Sequence, residues 1–179
     1  MTCMGKLSSP GTVKLISSFI YARKEDMEKA LKAFSEKYGR TDLASGEMDF
    51  DFTDYYDREF GRPLKRILVS CEALVPVEGI ETVKLASNSI EDSLSRNGKR
   101  TVNVDPGYVT EAKLVLLTTK DYAHRIHIRR GIFAECTLYY RNEKFRSWPW
   151  TYPDYASDGI KDFLAGVREK YVAQIKGGK

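Results

Sequence analysis

Residues 13–22 read VKLISSFIYA, with apolar side chains at both odd and even positions. A strand alternates its side chains between the two faces of a sheet, so this pattern predicts a central strand buried on both faces. Residues 24–38 follow with apolar side chains at helical spacing, and Gly39 comes next. The spacing predicts an amphipathic helix that ends at Gly39.

The next segments complete a first group of elements. Residues 48–52 alternate apolar and polar side chains, which predicts an edge strand, and residues 65–75, KRILVSCEALV, predict a second central strand. Pro76 favours a helix start, and a helical apolar face follows it and ends at Asn97-Gly98. The short segment TVNVD, residues 101–105, predicts a further strand.

The order strand, helix, strand, strand, helix, strand over about residues 13–105 predicts a ferredoxin-like βαββαβ core in an α+β fold. Such a sheet has helices on one face, so later residues must cover the other face. Residues 110–119, TEAKLVLLTT, favour a helix capped by Thr110, although the apolar run also fits a strand. As a helix, this segment would separate Asp105 from Asp121 by about 15 Å.

The remaining residues predict a three-stranded antiparallel meander followed by a C-terminal helix. The predicted strands cover about residues 124–129, 132–140 and 145–149, and the helix covers residues 157–176. We expect one α+β domain over residues 13–176, with flexible ends at 1–12 and 177–179.

Composition excludes several classes of protein. The chain has 179 residues, of which 42% are hydrophobic and 30% charged, as in a globular domain rather than a disordered chain. Three cysteines without C-x-x-C spacing argue against a disulfide framework or a cysteine zinc site. No transmembrane run or signal peptide is recognisable, so we expect a cytoplasmic protein with no membrane partner.

The net charge of +4 is modest, but the charge is unevenly distributed. Residues 41–60 are acidic, whereas residues 120–146 carry seven Lys or Arg against three acids. The basic segment either binds an anionic partner or forms an ordinary solvent-exposed surface.

Both histidines lie in TKDYAHRIH, residues 119–127. Strand alternation predicts that His124 and His127 point to opposite faces, which argues against a shared metal ion. A turn with Gly131 in the left-handed conformation would set Ile126 and Ile128 against apolar partners on the next strand. The same register predicts that Arg125 faces Glu135 and that His127 faces Phe133.

Alternation also predicts a basic and aromatic sheet face. Such a face can bind phosphates and stack bases, or a helix can cover it. Its predicted members are Arg125, His127, Arg129, Phe133, Thr137, Tyr139, Arg146 and Trp148.

Two other segments are conspicuous. Asp105-Pro106-Gly107 has the composition of a turn. Residues 148–155, WPWTYPDY, predict an extended strap that either packs over the core or closes over a ligand. Within it, Asp154 either accepts a hydrogen bond from a ligand or orients the turn before the last helix.

The strings FDFTDYY, VNVDPGY, TKDYAHR and PWTYPDY together resemble the bacterial domain-of-unknown-function family numbered 4416. The resemblance covers nearly all of residues 13–175, implies no established activity, and favours His124 over His127. The family pattern includes Asp105, Gly107, Tyr108, Lys120, Asp121, Tyr122, His124 and Arg125. A GTP-binding label used for some members is not supported here, since the chain has no G-x-x-x-x-G-K-[ST] motif.

Other enzyme templates also fail. The chain lacks a G-x-S-x-G elbow and a pair of H-x-[ST] motifs, while Cys71 and Cys136 lie in apolar strands, where thiols are usually inert. The residues alone do not decide whether the protein is an enzyme, and they leave the oligomeric state open.

The first functional hypothesis is a pocket for a small phosphorylated or carboxylated ligand, with a nucleotide among the options and with or without catalysis. In it, Lys120 and Arg125 hold the anion, Asp121 or Asp105 binds Mg²⁺ or orients a water, and His124 moves a proton. The alternative is a non-enzymatic RNA- or protein-binding module that uses the basic and aromatic face. The candidate catalytic residues are His124 and Asp121, and the candidate ligand-binding residues are Lys120, Arg125, Asp105, Tyr108, Trp150, Tyr152 and Asp154.

Overall fold

A computed structural model of the chain describes residues 10–51 and 57–177. These residues form nine strands and four helices. The strands are β1 (Thr12–Tyr21), β2 (Thr41–Ala44), β3 (Met48–Asp49), β4 (Lys65–Pro76), β5 (Val102–Val109), β6 (Lys113–Thr118), β7 (Ile126–Arg129), β8 (Ile132–Arg141) and β9 (Lys144–Ser147). The helices are α1 (Lys24–Tyr38), α2 (Asp57–Phe60), α3 (Glu81–Leu94) and α4 (Asp158–Gly177).

The strands build one sheet in the order β2-β4-β1-β5-β6-β8-β7, with β3 added to β4 and β9 added to β8. Every strand pairing in the described part of the chain is antiparallel. The fold is therefore α+β, as the sequence predicts.

Helices cover both faces of this sheet. Leu15 and Phe19 of β1 pack on one face with Phe34 of α1 and with α3, whereas Ile16 packs on the other face with Leu164 of α4. The predicted burial of the first strand on both faces is confirmed, because all residues of β1 after Thr12 are buried. Among the described residues, no helix is long and apolar enough to cross a membrane.

The helix predicted at residues 110–119 is wrong, because this segment contains strand β6. Its apolar residues alternate between the two covered faces: Leu114 packs against α4, and Leu117 packs on the side of α1 and α3. An apolar run of this length fits either element in isolation. The pairing of β6 with β5 and β8 selects the strand.

Two smaller predictions also need correction. Pro76 ends β4 and does not start a helix, since α3 begins at Glu81. The predicted edge strand at residues 48–52 is limited to β3, and Phe52 lies outside the described residues.

The predicted register of β7 is only partly right. Gly131 has the expected positive φ, 74°, and His127 pairs with Phe133. Ile126 pairs with the apolar residue Ala134 as predicted, but the isoleucines are not buried, because their side chains are 72% and 38% exposed. The reason is position: β7 is the last strand of the sheet.

The sequence Pro106-Gly107 lies inside β5 and not in a turn. Gly107 pairs with Leu116 of β6, and a Cβ at this position would be 2.5 Å from the Val115 carbonyl oxygen. Only glycine permits this close approach. Pro106 has no N–H to donate, and β5–β6 pairing extends from Gly107 to Val109 without reaching the first half of β5. The two strands consequently part before Gly107.

We predict that Gly107→Ala lowers the free energy of unfolding by about 1–3 kcal/mol, because the added methyl group forces backbone shifts in a packed core. Urea unfolding measures this change. Gly159→Ala is the matched control, because Gly159 lies in α4, where a methyl group would have no described atom within 4 Å apart from its own helix backbone and chain neighbours. Equal stability of the two variants would contradict the role assigned to Gly107.

Candidate functional site

A cavity of about 510 Å³ lies where β5 and β6 part. Its walls come from β5 and α3 on one side, and from the end of β6, the following segment and β8 on the other. Residues 148–157, called the strap below, connect β9 to α4 and contribute Tyr152, Pro153, Asp154 and Tyr155 to the lining. The cavity therefore follows directly from the limited pairing of β5 with β6.

Asp105 presents its carboxylate on the β5 wall. Lys84 of α3 donates to Asp105 Oδ1 at 3.0 Å and to the Val104 carbonyl oxygen at 3.1 Å, while Asn103 Nδ2 donates to Asp105 Oδ2 at 2.6 Å. Burial opposes ionisation, but the charge and hydrogen bond of Lys84, with help from Asn103, hold the pKa of Asp105 below its usual value. The carboxylate is therefore ionised at neutral pH.

Arg100 extends this wall into a connected network. Its guanidinium donates to Glu91 at 3.0 Å and to Asn103 Oδ1 at 3.1 Å, and it holds Glu59 with bonds of 2.8 and 2.7 Å. Glu91 also accepts the Val104 N–H at 2.7 Å. Burial raises the pKa of Glu91 despite the nearby cations. A carboxyl with a perturbed pKa in a cavity is typical of a functional site.

Arg125 organises the opposite wall. The side chain is buried, and it donates to Glu135 Oε2 at 2.9 Å, to the Lys120 carbonyl oxygen at 3.1 Å and to the Tyr152 hydroxyl at 2.8 Å. The predicted pairing of Arg125 with Glu135 is confirmed. Lys120 also lines the cavity, at a solvent-exposed position. One guanidinium thus joins this wall to the strap.

Arg66 connects the strap to the sheet beneath it. Its guanidinium forms an ion pair with Asp154, donates to Ser18 Oγ at 2.8 Å and lies 4.4 Å from the centre of the Tyr155 ring. The Arg66 side chain is only 3% exposed, so its charge depends on Asp154 for compensation. Asp154 therefore positions the strap as well as lining the cavity.

His124 lies outside the cavity lining, behind Glu135. Its Nε2 is 3.1 Å from Glu135 Oε2, the same oxygen that Arg125 contacts. The predicted strand at residues 124–129 begins only at Ile126, so His124 lies in a turn before β7, where strand alternation does not apply. The imidazole stacks between Tyr122 at 6.2 Å and Trp150 at 5.7 Å.

The structure divides the nine candidate residues into two groups. The cavity lining includes Asp105, Lys120, Arg125, Tyr152 and Asp154. The lining does not include His124, Asp121, Tyr108 or Trp150.

Three of the residues outside the lining have other surroundings. Asp121 is exposed to solvent. Tyr108 packs against the core beneath α1 and α3, and burial raises its pKa. Trp150 is 37% exposed and donates from Nε1 to the Cys136 carbonyl oxygen at 3.1 Å. Within residues 10–51 and 57–177, no group of three or more His, Cys, Asp or Glu side chains is arranged to hold a metal ion.

The predicted basic and aromatic face is only partly engaged with the protein itself, since Arg129 and Arg146 are exposed. Arg125 is buried against Glu135, and the Trp148 ring lies 4.4 Å from Tyr139 and 5.1 Å from Trp150. His127 is exposed and accepts a hydrogen bond from the Gly131 N–H at 3.2 Å. Trp148 of the strap, rather than a helix, contacts the Tyr139 ring.

Sequence reasoning missed the contributions of α3 and β4 to the cavity. Lys84 and Glu91 lie seven residues apart, beside the apolar face of α3, and both are buried. Arg66 begins a run of otherwise apolar residues in β4. The sequence did offer a signal for these residues, because each is a charged residue at a position that the apolar pattern assigns to the core. Charged side chains are rarely buried without a partner.

Comparison with known proteins identifies one family. A family model described as Domain of unknown function (DUF4416) matches residues 11–171. No curated protein and no solved structure matches the chain.

We predict that Asp154→Ala lowers the free energy of unfolding by about 3–5 kcal/mol, because it leaves a buried guanidinium without its counter-charge. Urea unfolding of the purified variant gives this value. Asp162→Ala, at an exposed position on α4, serves as the control and should change stability little. If both variants unfold like the wild type, Arg66 does not depend on Asp154.

Proposed function

The chain belongs to the DUF4416 family, and we propose that it binds a small phosphorylated or carboxylated molecule in the cavity between β5 and β6. The observation that carries this proposal is the convergence of Lys84, Lys120 and Arg125 on one cavity of about 510 Å³. Pockets for small molecules generally have volumes of about 300–1,000 Å³ and hold a few convergent polar groups.

The charge of the lining favours an anion. The lining carries five cationic residues and four carboxylates, and Glu59, which lies outside the lining, also pairs with Arg100. Three of the carboxylates, Glu91, Glu135 and Asp154, are already bonded to arginines of the protein. Electrostatic attraction is stronger in a partly buried site than in bulk water, so the cations that converge on this cavity from different elements favour an anionic group.

Catalysis stays a prediction. His124 lies outside the lining and is joined to it by its contact with Glu135, and Asp121 is a solvent-exposed residue outside the lining. A Mg²⁺ ion bound by Asp105 or Asp121 likewise stays a prediction from the sequence. Binding, with Lys120 and Arg125 as anion ligands, is the role that the cavity supports best; Arg125 uses three of its five N–H groups within the protein, which leaves two for an anion.

The alternative of RNA or protein binding through the basic and aromatic face has less support. Arg125 is buried and bonded to Glu135, so its charge is not displayed on that face. The Trp148 ring stacks on Trp150 and makes a tilted contact with Tyr139, which leaves less of its surface for a base. Base recognition by single-strand binders needs open aromatic faces.

We also infer that β1, α1, β2, β4, α3 and β5 form a ferredoxin-like unit. Support comes from the strand order β2-β4-β1-β5, in which each connecting helix joins strands separated by one other strand. Packing of α1 and α3 on the same face is a second argument. A cytoplasmic location is a further proposal, for which the sequence composition is the support.

We predict that anionic metabolites stabilise the protein against heat. A ligand at 100 times its dissociation constant adds about 2.7 kcal/mol to the free energy of unfolding. Thermal denaturation in the presence of individual sugar phosphates, nucleotides and dicarboxylates measures this effect. Lys120→Ala should weaken the stabilisation, whereas Lys113→Ala, an exposed lysine on β6 outside the cavity, should not.

Two results would contradict the proposal. One is a flat response of the wild type to every phosphorylated and carboxylated compound. The other is an equal loss of stabilisation in Lys120→Ala and Lys113→Ala, which would indicate a nonspecific charge effect.

A further inference from the structure

We infer that the ligand carries a hydrogen-bond donor, a hydroxyl or an amine, that pairs with the Asp105 carboxylate in addition to its anionic group. This inference rests on the binding role proposed above and defines the class of ligand more narrowly. Asp105 and Lys120 line the same cavity on walls formed by different elements. The ligand is thus expected to contact a carboxylate on one wall and a cation on the other.

The size of the cavity requires a ligand with a body beyond its anionic group. Its volume of about 510 Å³ lies well inside the range of about 300–1,000 Å³ that suits organic ligands. A bare phosphate ion is far smaller than such molecules. The residues that surround the rest of the ligand therefore determine which molecule fits.

The Asp105 carboxylate is oriented to accept further hydrogen bonds. Lys84 bonds to one of its oxygens and Asn103 to the other, while Arg100 fixes the Asn103 amide from its carbonyl side. A carboxylate offers about four lone-pair sites, so these two bonds leave acceptor capacity. The Asp105 side chain is 38% exposed, which gives a ligand access to it.

Two of the three aromatic rings in the lining, Phe50 and Tyr155, already contact a cation, whereas Tyr152 is exposed. The Arg66 guanidinium lies 5.8 Å from the centre of the Phe50 ring and 4.4 Å from that of Tyr155, so it covers a face of each. Amide side chains, Asn88 and Asn103, also line the cavity. Amides and carboxylates bind hydroxyl and amine groups, which supports a ligand body that carries such donors.

Isothermal titration calorimetry with three phosphate monoesters tests the inference. Ribose 5-phosphate offers hydroxyl donors, phosphoethanolamine offers an ammonium donor, and pentyl phosphate offers no donor on its carbon chain. A hydrogen bond to a charged group contributes enough to tighten binding roughly tenfold. At least one of the first two compounds should therefore bind about tenfold more tightly than pentyl phosphate. The compound that does so also distinguishes a hydroxylated ligand from an aminated one.

The Asp105→Asn variant tests whether the Asp105 carboxylate causes the preference for ligands with a hydrogen-bond donor. It should lose most of the preference while it retains pentyl phosphate binding, and Asp92→Asn, at an exposed position on α3, should retain both. Equal binding of all three compounds by the wild type would overturn the inference and leave anion binding intact. A preference that persists in a folded Asp105→Asn variant would also overturn it. If the wild type binds none of the three, both this inference and the binding of phosphorylated ligands fail.

Discussion

The architecture of the site depends on the close contact between Gly107 of β5 and the backbone of β6. A side chain at this position would meet the Val115 carbonyl oxygen, so glycine allows the strands to pair there. Pro106, directly before it, has no N–H for a sheet partner, and the pairing with β6 stops at Gly107. Gly107 therefore allows β5 and β6 to pair from Gly107 to Val109, and the strands separate on the side of Pro106. This separation creates the cavity.

The charges around the cavity have a consistent physical explanation. Arg66 and Arg125 each join a strap residue to the sheet, through Asp154 and Tyr152 respectively. Buried ion pairs contribute little net stability, because desolvation offsets most of their attraction. The contribution of these ion pairs to stability therefore does not explain why so many charged groups lie here. Ligand binding would explain their presence. Asp105 fits this view, since its carboxylate is ionised and retains exposed surface.

Sequence patterns predicted the elements whose apolar spacing is unambiguous. Helix α1 and the central strand β1 agree with the periodicity, because each packs its apolar residues on the faces that the spacing indicates. The segment that forms β6 was assigned to a helix, since a short apolar run fits both elements and only its strand partners decide. Sheet neighbours that are distant in sequence also determine that Pro106-Gly107 continues a strand.

The site was predicted only where local sequence was sufficient. Lys120 and Arg125 were recognised from one basic segment, but Lys84 and Arg66 reach the cavity from elements that lie far away in the chain.

The most direct measurement of the central claim is backbone amide NMR during titration with ribose 5-phosphate. Amide chemical-shift changes should be concentrated at the non-proline residues within 103–107, 117–120 and 152–155. Changes confined to the outer surface around His127, or no changes at all, would contradict it.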